Sequence, residues 1–419
     1  MAIDRLAYSK YFPHSNGTIQ PVTTSLQLDD IRSAAQRIQP YINRTPLYHW
    51  QDDWVDEHIS GGELHLKLEF LQRTGSFKAR GAVNNILTRD DVERGKGVTA
   101  VSAGNHAIAV AYAADALGVS AKVVMHRGAN PARVAKCRAF GAEVVLVDDM
   151  TQGFPTMEEI AEREDRSVIH PFDGQATMQG TGTVGLEIAE SIADLDAVVV
   201  AVGGGGLIAG VGSALKALQP SLTLYGVEPD GASGMSQSLS LGRPLDKVEV
   251  NTIADSMGAP LHCAESFAIC QQVVDEIVLL DDDALCRGMT IAFDQLKFSL
   301  EAAGSAVLAA LAGPLKGRLT GKRTAAILCG SNIDEASWQQ LIERGRKDIG
   351  DYNRIGSGAR ARLPSAVADG TSATSAWWRW YPSRRRGKGD RPPAGARSEA
   401  EEQPRGRTRG CGFEKPKSL

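Results

Sequence analysis

The sequence of 419 residues predicts an α/β fold with two parallel-sheet domains. Strand-like and helix-like segments alternate from about residue 98 onwards, which is typical of parallel sheets whose crossover connections are helices. Four alternating strands lie within 96–173, and a second set follows a long helical segment at 175–192. A glycine run at 203–206 joins a β-branched strand to a helix, as in turns that bind ligands in such folds. The alternation therefore indicates two sheets within one chain.

The two sets of strands also predict how the domains are arranged. We expect residues 25–95 and 174–350 to form a large domain, into which residues 96–173 are inserted as a small domain. Residues 1–24 show no clear periodicity and are expected to form an extension. Residues 351–419 carry 15 Lys and Arg against 7 Asp and Glu, and they are rich in Gly, Pro and Ser. This composition is typical of a disordered basic tail, and nucleic-acid binding by it is disfavoured.

Each predicted element follows from local periodicity and turn residues. The alternation of Leu64, Leu66 and Leu68 with polar residues indicates a half-buried strand. A helix with an apolar face precedes it at about 29–38, ended by Pro40, and 44–47 is expected to be extended. Further strands are predicted at 98–102, 121–126, 143–147, 167–170, 197–202, 222–227, 273–280 and 324–329. A turn at 102–106 is expected to lead into a helix that ends at 117. Further helices are predicted from 131, at 155–163, 175–192, 207–218, 283–296 and 301–311, and finally up to about 346.

Composition argues against several classes of protein. The start of the chain lacks a basic stretch followed by an apolar run, so we expect a cytoplasmic protein. The uncharged run 197–215 contains six glycines and divides into a strand and a helix, so we do not expect a membrane span. Six cysteines occur without a Cys-x-x-Cys pair, which argues against structural zinc and favours free thiols.

Lys78 is the candidate nucleophile of the chain. It lies at a predicted junction of strand and helix, one residue inside the helix if Ser76 is the N-cap. A helix N-terminus favours the neutral form of an amine, and a neutral lysine can form a Schiff base with a carbonyl compound. An ordinary solvated helical lysine is the alternative that this segment alone leaves open.

The glycine run has two interpretations of its own. Backbone N–H groups of a glycine turn that leads into a helix can bind a phosphate. The pattern Gly204-x-Gly206-x-x-Ala209, with Glu228 at the end of the next strand, also satisfies a dinucleotide-binding fingerprint. That second interpretation predicts an NAD-dependent oxidoreductase, although hydride transfer has no special need for a Schiff-base lysine.

Five motifs together favour the first interpretation, because they resemble one family over about residues 25–346. The chain resembles the fold-type II pyridoxal-phosphate (PLP) enzymes, which are tryptophan synthase β-like, and within them the threonine/serine dehydratases and serine racemases. The motifs are Thr74-Gly75-Ser76-Phe77-Lys78-Ala79-Arg80-Gly81-Ala82, Ser102-Ala103-Gly104-Asn105-His106, Gly203-Gly204-Gly205-Gly206-Leu207, Gly226-Val227-Glu228-Pro229 and Cys329-Gly330-Ser331-Asn332.

The resemblance implies a role for each cofactor-binding residue, with the cofactor in a cleft between the two domains. Lys78 would form the Schiff base and act as the acid and base at the substrate α-carbon. Phe77 would lie beside the pyridine ring, and Asn105 would bind its hydroxyl group. The phosphate would bind to Gly203, Gly204, Gly205, Gly206 and Leu207. Cys329 would face the pyridine nitrogen, and this weak donor would leave the nitrogen largely unprotonated.

The resemblance also implies a substrate site and a reaction. Ser102 and the backbone of Ala103, Gly104, Asn105 and His106 would hold the carboxylate of a small amino-acid substrate. The implied reaction is elimination of water from L-threonine, L-serine or a related β-hydroxy amino acid, which gives a 2-oxo acid and ammonia. Serine racemases carry a serine as second base at the position of Ala103, whose methyl group cannot carry a proton. We therefore favour a dehydratase over a racemase.

A cation site and the quaternary structure are further expectations from the resemblance. Relatives bind Mg²⁺ or a monovalent cation with a glutamate that matches Glu228 and an aspartate at the position of Gly234. Glu228 and the Ala232 carbonyl are the remaining candidate ligands. We expect packing or loop roles for the side chains of His106, His126, His170 and His262, and a homodimer or higher homo-oligomer without a membrane partner.

Overall fold

The structure is a computed structural model that describes residues 25–102, 104–149 and 152–356. The predicted extension 1–24, Ala103 and the tail beyond residue 356 lie outside the described residues. The last helix, Glu335–Gly356, continues ten residues past the predicted end at about 346. Apolar residues continue at a spacing of three in this stretch, at Ile349, Tyr352 and Ile355, which suits a helix better than a tail.

The larger lobe is built on a six-stranded sheet, and the strand at one of its edges differs from the prediction. β1 (Leu47–Trp50) pairs antiparallel with β2 (Glu63–Lys67), with Leu47 opposite Lys67, whereas all other neighbours in the sheet are parallel. The sequence predicted only an extended segment here, because four residues of mixed polarity carry little periodicity. In spatial order the strands are β1 (Leu47–Trp50), β2 (Glu63–Lys67), β10 (Arg323–Ile327), β7 (Ala197–Ala201), β8 (Thr223–Pro229) and β9 (Glu276–Leu280).

The smaller lobe contains a four-stranded sheet whose neighbours are all parallel. The predicted strands 121–126 and 143–147 match β4 and β5 of the structure residue for residue. The spatial order is β5 (Glu143–Val147), β4 (Ala121–His126), β3 (Val98–Val101) and β6 (Ser167–Val168). Parallel strands require crossover connections, and the helices between them provide these.

Helices cover both sheets. In the larger lobe the described helices are α1 (Leu28–Ile38), α2 (Asp53–His58), α3 (Lys78–Leu87), α4 (Asp91–Lys96), α8 (Gln175–Ser191), α9 (Gly206–Leu218), α10 (Gly234–Leu241), α11 (Ala264–Val273), α12 (Asp282–Leu296), α13 (Ala302–Ala312) and α14 (Glu335–Gly356). In the smaller lobe they are α5 (Asn105–Ala116), α6 (Pro131–Ala139) and α7 (Gly153–Glu164). The predicted start of a strand at Val273 is wrong, since Val273 ends α11 and the strand begins at Glu276.

Helix α3 is fixed against α8 by a close approach of their backbones. A Cβ atom on Gly180 of α8 would lie 2.5 Å from the carbonyl oxygen of Arg80, and one on Gly81 would lie 3.0 Å from the Thr177 carbonyl oxygen. Backbone atoms cannot move aside as a flexible side chain does, so both positions require glycine. The position of α3, and with it that of its first residue Lys78, is therefore fixed relative to α8.

A buried network of charged side chains, here called the anchor network, links α3 to β2 and α8. It consists of Lys67, Glu69, Arg80 and Glu187, and none of these residues is more than 8% exposed. Arg80 donates from Nε and Nη2 to both oxygens of Glu69 at 2.8 Å, and from Nη1 to Oε1 of Glu187 at 2.7 Å. Lys67 donates to Oε2 of Glu187 at 2.5 Å. Two cations and two carboxylates thus neutralise one another where the helix that begins with Lys78 packs against its neighbours.

Candidate active site

Helix α3 begins at Lys78, with Phe77 in the N-cap position and without a side-chain cap. The prediction that Ser76 caps this helix is therefore wrong. The backbone of Ser76 instead pairs with Gly330 in an isolated β-bridge, and its buried hydroxyl has no hydrogen-bond partner within the described part of the chain. The bridge ties the Lys78 segment to the loop after β10, and it makes Lys78 the first helical residue rather than the second.

Lys78 is half-buried, and its ammonium group contacts the protein. Its Nζ donates to the Pro171 carbonyl oxygen at 2.5 Å and lies 5.1 Å from the centre of the Phe77 ring. Burial lowers the pKa of Lys78 to about 8, although the charges of Cys329 and Glu301 act in the opposite direction. About one amine in ten is then neutral at pH 7, a far larger fraction than for an ordinary lysine. The main cause of the lowered pKa is desolvation, whereas the sequence alone pointed to the helix dipole.

Lys78 lines a cavity that gathers all of the predicted cofactor-binding residues. Phe77, Asn105, Cys329 and the run 203–207 lie on its wall with Lys78. The lining also includes residues that the sequence did not single out as cofactor-binding, namely Phe172, Ala201, Val202, Ile208, Ser256, Met257, Glu301 and Ala303. Residues from both lobes thus meet around one amine.

The glycine run 203–206 needs its glycines for two reasons. Gly205 has a φ of +92°, a conformation that residues with a side chain rarely adopt. A Cβ on Gly204 would lie 2.1 Å from the Phe172 ring, and one on Gly206 would lie 2.2 Å from the Phe172 carbonyl oxygen. With no side chains in the way, the backbone of this turn and the first amides of α9 border the cavity. Such amides lack acceptors within their own helix, so they suit an anion such as a phosphate.

The side-chain amide of Asn105 is held on both sides. Its Nδ2 donates to Oε1 of Glu301 at 2.6 Å and to Oγ of Ser256 at 3.3 Å. Its Oδ1 accepts a hydrogen bond from Nδ2 of Asn332 at 2.7 Å, and the same Asn332 group donates to the Thr74 carbonyl oxygen at 2.8 Å. The bond to Ser256 is the longest of these three bonds of Asn105, so it is the one that a bound ligand would most readily replace.

Glu301 is an acid on the cavity wall to which the sequence assigned no role. It lies just before α13 and is 3% exposed. Burial raises its pKa to about 7, although the nearby charge of Arg133 acts to lower it. Its Oε2 has no hydrogen-bond partner in the described regions, and Nη2 of Arg133 lies 3.6 Å from it. The carboxyl group therefore changes its protonation state near neutral pH inside the cavity.

Helix α6 of the smaller lobe reaches across to the larger lobe through two cations that the sequence did not identify. Arg133 forms an ion pair with Asp255 and donates from Nε to the Asn332 carbonyl oxygen at 2.9 Å. Lys136 donates to Oδ1 of Asn332 at 2.8 Å. The available signal was the spacing of three between Arg133 and Lys136, just after a helix-starting proline, which puts both on one helix face.

The turn predicted to hold the substrate carboxylate lies at the start of α5. Oγ of Ser102 accepts a hydrogen bond from the Gly104 amide at 3.1 Å. A Cβ on Gly104 would lie 3.1 Å from Nη1 of Arg133, which places that guanidinium beside the turn. Ring Nε2 of His106 lies 2.8 Å from the Ile169 carbonyl oxygen, and burial lowers the pKa of His106 to about 3. The neutral His106 ring thus holds the end of β6, in line with a packing role.

Cys329 contributes a neutral thiol to the cavity wall. Its Sγ donates to the Ala303 carbonyl oxygen at 3.2 Å, and burial raises its pKa far above the ordinary range. A thiol in this state carries no negative charge that would hold a proton on a nearby pyridine nitrogen.

The residues at the predicted cation site do not fit an oxygen-ligated cation. Both oxygens of Glu228 accept backbone hydrogen bonds, from Met235 at 2.9 Å and from Ser236 at 2.8 Å. A Cβ on Gly234 would lie 2.4 Å from Nε2 of His262, so an imidazole ring takes the space that a side chain at position 234 would need. Burial raises the pKa of Glu228 to about 7, which further weakens it as a ligand for a hard cation.

A cavity that places a half-buried lysine amine beside a turn of amides without side chains fits a PLP-dependent enzyme of the α/β class. The chain belongs to the family described as "Pyridoxal-phosphate dependent enzyme", whose model matches residues 38–330. This membership confirms the predicted fold class and cofactor, and it replaces the oxidoreductase alternative. Within the described residues, no helix is both long and apolar enough to cross a membrane.

Known relatives cover most of the chain. The phenylserine dehydratase of Ralstonia pickettii is 45% identical over 323 residues, which are 77% of this chain and 98% of that protein. The catabolic L-threonine dehydratase TdcB of Escherichia coli K12 is 37% identical over 316 residues, covering 75% of this chain and 95% of the relative. Among solved structures, maize serine racemase superposes with a TM-score of 0.70 at 32% identity, covering 78% of this chain and 99% of that one.

Proposed function

We propose that this protein is a PLP-dependent dehydratase that removes water from a β-hydroxy α-amino acid and releases a 2-oxo acid and ammonia. The observation that carries the proposal is that Lys78 supplies the only amine among the described residues that line the cavity. The names of two relatives, a phenylserine dehydratase and a threonine dehydratase, support the same reaction type.

Each of these cavity residues would hold a different part of the cofactor. Lys78 would bind it covalently, the backbone of 203–207 would receive the phosphate, and Phe77 would pack against the ring. Asn105 would donate to the ring hydroxyl, and the Cys329 thiol would face the pyridine nitrogen. Bound PLP supplies an electron sink that acidifies the α-C–H bond of the substrate.

Lys78 is the proposed base for that α-proton. A pKa of about 8 keeps a useful fraction of the amine neutral at physiological pH, and the protonated form can return the proton later. The neutral thiol of Cys329 would leave the pyridine nitrogen of bound PLP unprotonated, a state that would favour loss of the β-hydroxyl group over transamination.

The carboxylate of the substrate is proposed to bind at the start of α5, to Ser102 and the backbone of residues 103–106. Amides at this helix start suit a carboxylate in the same way that those of α9 suit a phosphate. The Arg133 guanidinium next to Gly104 places a positive charge beside the same turn. Because this turn belongs to the smaller lobe and Lys78 to the larger one, the substrate bridges the two lobes.

Ala103 supports a dehydratase over a racemase. Racemisation needs a second acid or base on the face of the cofactor opposite Lys78, and the methyl group of Ala103 cannot exchange a proton. A serine racemase is the second candidate, favoured by the structural likeness to the maize enzyme. The two reactions differ in product, since a racemase yields the D-amino acid without ammonia.

Three further expectations accompany this function. We expect a cytoplasmic enzyme, a homodimer or higher homo-oligomer, and a small domain bounded at residues 96 and 173. The candidate substrates are L-serine, L-threonine and phenylserine, and a panel of the three assayed for ammonia ranks them.

The test of the proposal is the Lys78→Ala variant, with Lys322→Ala as a matched control at an exposed lysine. We expect the wild-type protein and the control to show a visible cofactor absorption band and to form ammonia with a 2-oxo acid. The Lys78→Ala variant should lose the band and at least about 10²- to 10⁴-fold of the rate. A band that survives in Lys78→Ala would contradict the role of Lys78. Formation of D-serine without ammonia would instead establish the racemase.

A further inference from the structure

We propose that His49, Glu63 and His65 form a binding site for a zinc-class divalent transition metal on the outer edge of the larger sheet. The three residues belong to β1 and β2, and none of them lines the cavity beside Lys78. The proposal is therefore independent of the proposed dehydratase activity.

The pairing of β1 with β2 brings the three side chains to one face. His49 lies directly opposite His65 in the antiparallel register. Glu63 precedes His65 by two residues, and alternate residues of a strand point to the same side of a sheet. The site is thus set by the hydrogen-bonded ladder of two strands rather than by a loop.

The candidate ligand atoms already lie close together. One nitrogen from each histidine and one carboxylate oxygen of Glu63 lie within 4.8 Å of one another. The two imidazole rings stack with their centres 4.4 Å apart and their planes 16° apart, and Nε2 of His65 lies 3.1 Å from Oε2 of Glu63. Ligand atoms of a tetrahedral zinc site lie about 3–4 Å apart, since each is about 2 Å from the metal. The two ring planes, now nearly parallel, must turn toward each other before both nitrogens point at one metal, and the exposed side chain of His49 can make that turn.

The donor set selects the class of metal. Two imidazole nitrogens with one carboxylate oxygen suit Zn²⁺ and neighbouring transition metals, whereas Mg²⁺ and Ca²⁺ prefer oxygen ligands alone. His49 is exposed, and the other two residues are half-buried, so solvent reaches the group. Three protein ligands at the surface leave a fourth position for water.

Arg323 competes with a metal for the Glu63 carboxylate, but it can also help to orient that carboxylate toward the metal. Its Nε lies 3.1 Å from Oε2 of Glu63, and its Nη2 lies 3.5 Å from Oε1. Its Nη1 donates to the Ala193 carbonyl oxygen at 3.0 Å, which holds the guanidinium in place. When a metal takes Oε2, Arg323 can keep Oε1 and orient the carboxylate, as outer partners of metal ligands commonly do.

The test is equilibrium dialysis of the purified holoenzyme, without an affinity tag, against ZnCl₂. We expect one zinc per chain in the wild type, loss of this zinc in His49→Ala and in His65→Ala, and weaker binding in Glu63→Gln. The His126→Ala variant, which removes a half-exposed histidine from β4 of the other lobe, should keep the zinc. Because bound zinc favours the folded state, the melting temperature of the wild type and the control should rise with zinc.

Cobalt provides a second readout for the same variants. Co²⁺ in a site of low coordination number absorbs visible light more strongly than hydrated Co²⁺, and this absorption should appear in the wild type and be lost in His49→Ala. Zinc that binds equally in the wild type and in His49→Ala would overturn the proposal, and so would a wild type that binds none. His49 is exposed, so its replacement leaves the fold intact even if His65→Ala does not.

Discussion

Two buried polar clusters flank helix α3, and they are built in different ways. In the anchor network, Arg80 meets both of its carboxylates at hydrogen-bond distance. On the cavity side, Asn105, Glu301 and Arg133 form an incomplete cluster, in which Oε2 of Glu301 has no hydrogen-bond partner among the described residues. Arg133 approaches that oxygen only to 3.6 Å.

The difference is also visible in the pKa values of the two glutamates. Burial acts to raise the pKa of both Glu187 and Glu301. Burial is the largest single influence on Glu187, but the hydrogen bonds and charges of Arg80 and Lys67 together outweigh it, so its pKa is lowered, whereas the pKa of Glu301 reaches about 7. A fully paired cluster stabilises a backbone position. An incomplete one keeps a group that can change its protonation state beside the cavity.

Removing the centre of the anchor network should have the largest effect on stability. Arg80→Leu leaves Glu69 without its cation and Glu187 with Lys67 alone, both in a buried environment. We expect the free energy of unfolding to fall by about 3–5 kcal/mol. Urea denaturation of the holoenzyme measures it, with Arg163→Leu, at an exposed ion pair with Glu159, as the matched control. A loss below about 1 kcal/mol would show that the network is not needed for stability.

Replacing the unpaired acid should mainly change pH dependence. The pKa of Glu301 is about 7 in the folded protein against an ordinary value of 4.5, so the folded state binds more protons between these pH values. Its contribution to stability is therefore present below about pH 4.5 and is lost as the pH rises through 7, by up to about 3 kcal/mol. Glu301→Gln is neutral throughout and should remove this dependence. We also expect the wild-type profile of kcat/KM against pH to show a limb near pH 7, and we expect Glu301→Gln to lack this limb.

Glu228→Gln is the comparison variant for this prediction. The pKa of Glu228 is also about 7, but Glu228 is not part of the cavity lining. Its replacement should reduce the pH dependence of stability in the same direction and leave the pH profile of activity unchanged. If both variants keep the limb of kcat/KM near pH 7, the protonation state of Glu301 does not affect the reaction rate.

An ion pair at the surface should show the smallest effect. Nζ of Lys316 lies 2.6 Å from Oε1 of Glu57, a distance as short as those in the anchor network, but the side chains are 42% and 65% exposed. We expect Lys316→Met to change the free energy of unfolding by less than about 1 kcal/mol, because water and salt already screen the pair. Urea denaturation under the same conditions as for Arg80→Leu checks this. A loss as large as that of Arg80→Leu would mean that the N–O distance of an ion pair determines its contribution to stability more than its burial does.

Local patterns predicted the parts of the fold that depend on neighbouring residues. Strands β4 and β5 were predictable because β-branched runs lie between clear turn and helix signals. Lys78 and the glycine run were found through residue types whose chemistry is rare and through the order of five motifs. Their roles toward the cofactor stay predictions until Lys78→Ala is measured.

The remaining features depend on contacts between distant parts of the chain. Arg133 and Asp255 are 122 residues apart, and no periodicity links them. Ser76 looked like a helix cap, but tertiary pairing with Gly330 took its backbone out of the cap position. The role of Glu301 depends on burial, since the same residue on a surface would be an ordinary carboxylate with a low pKa. Such properties follow from packing, which local sequence does not show.

The Arg133 to Asp255 contact has a consequence for how the lobes respond to their medium. Asp255 keeps 58% of its side chain exposed, so dissolved ions reach this contact between the lobes, whereas they do not reach the anchor network. Charges are screened over about 8 Å at physiological ionic strength, and over shorter distances in stronger salt. A more concentrated medium therefore weakens the attachment of the smaller lobe while the position of Lys78 stays the same.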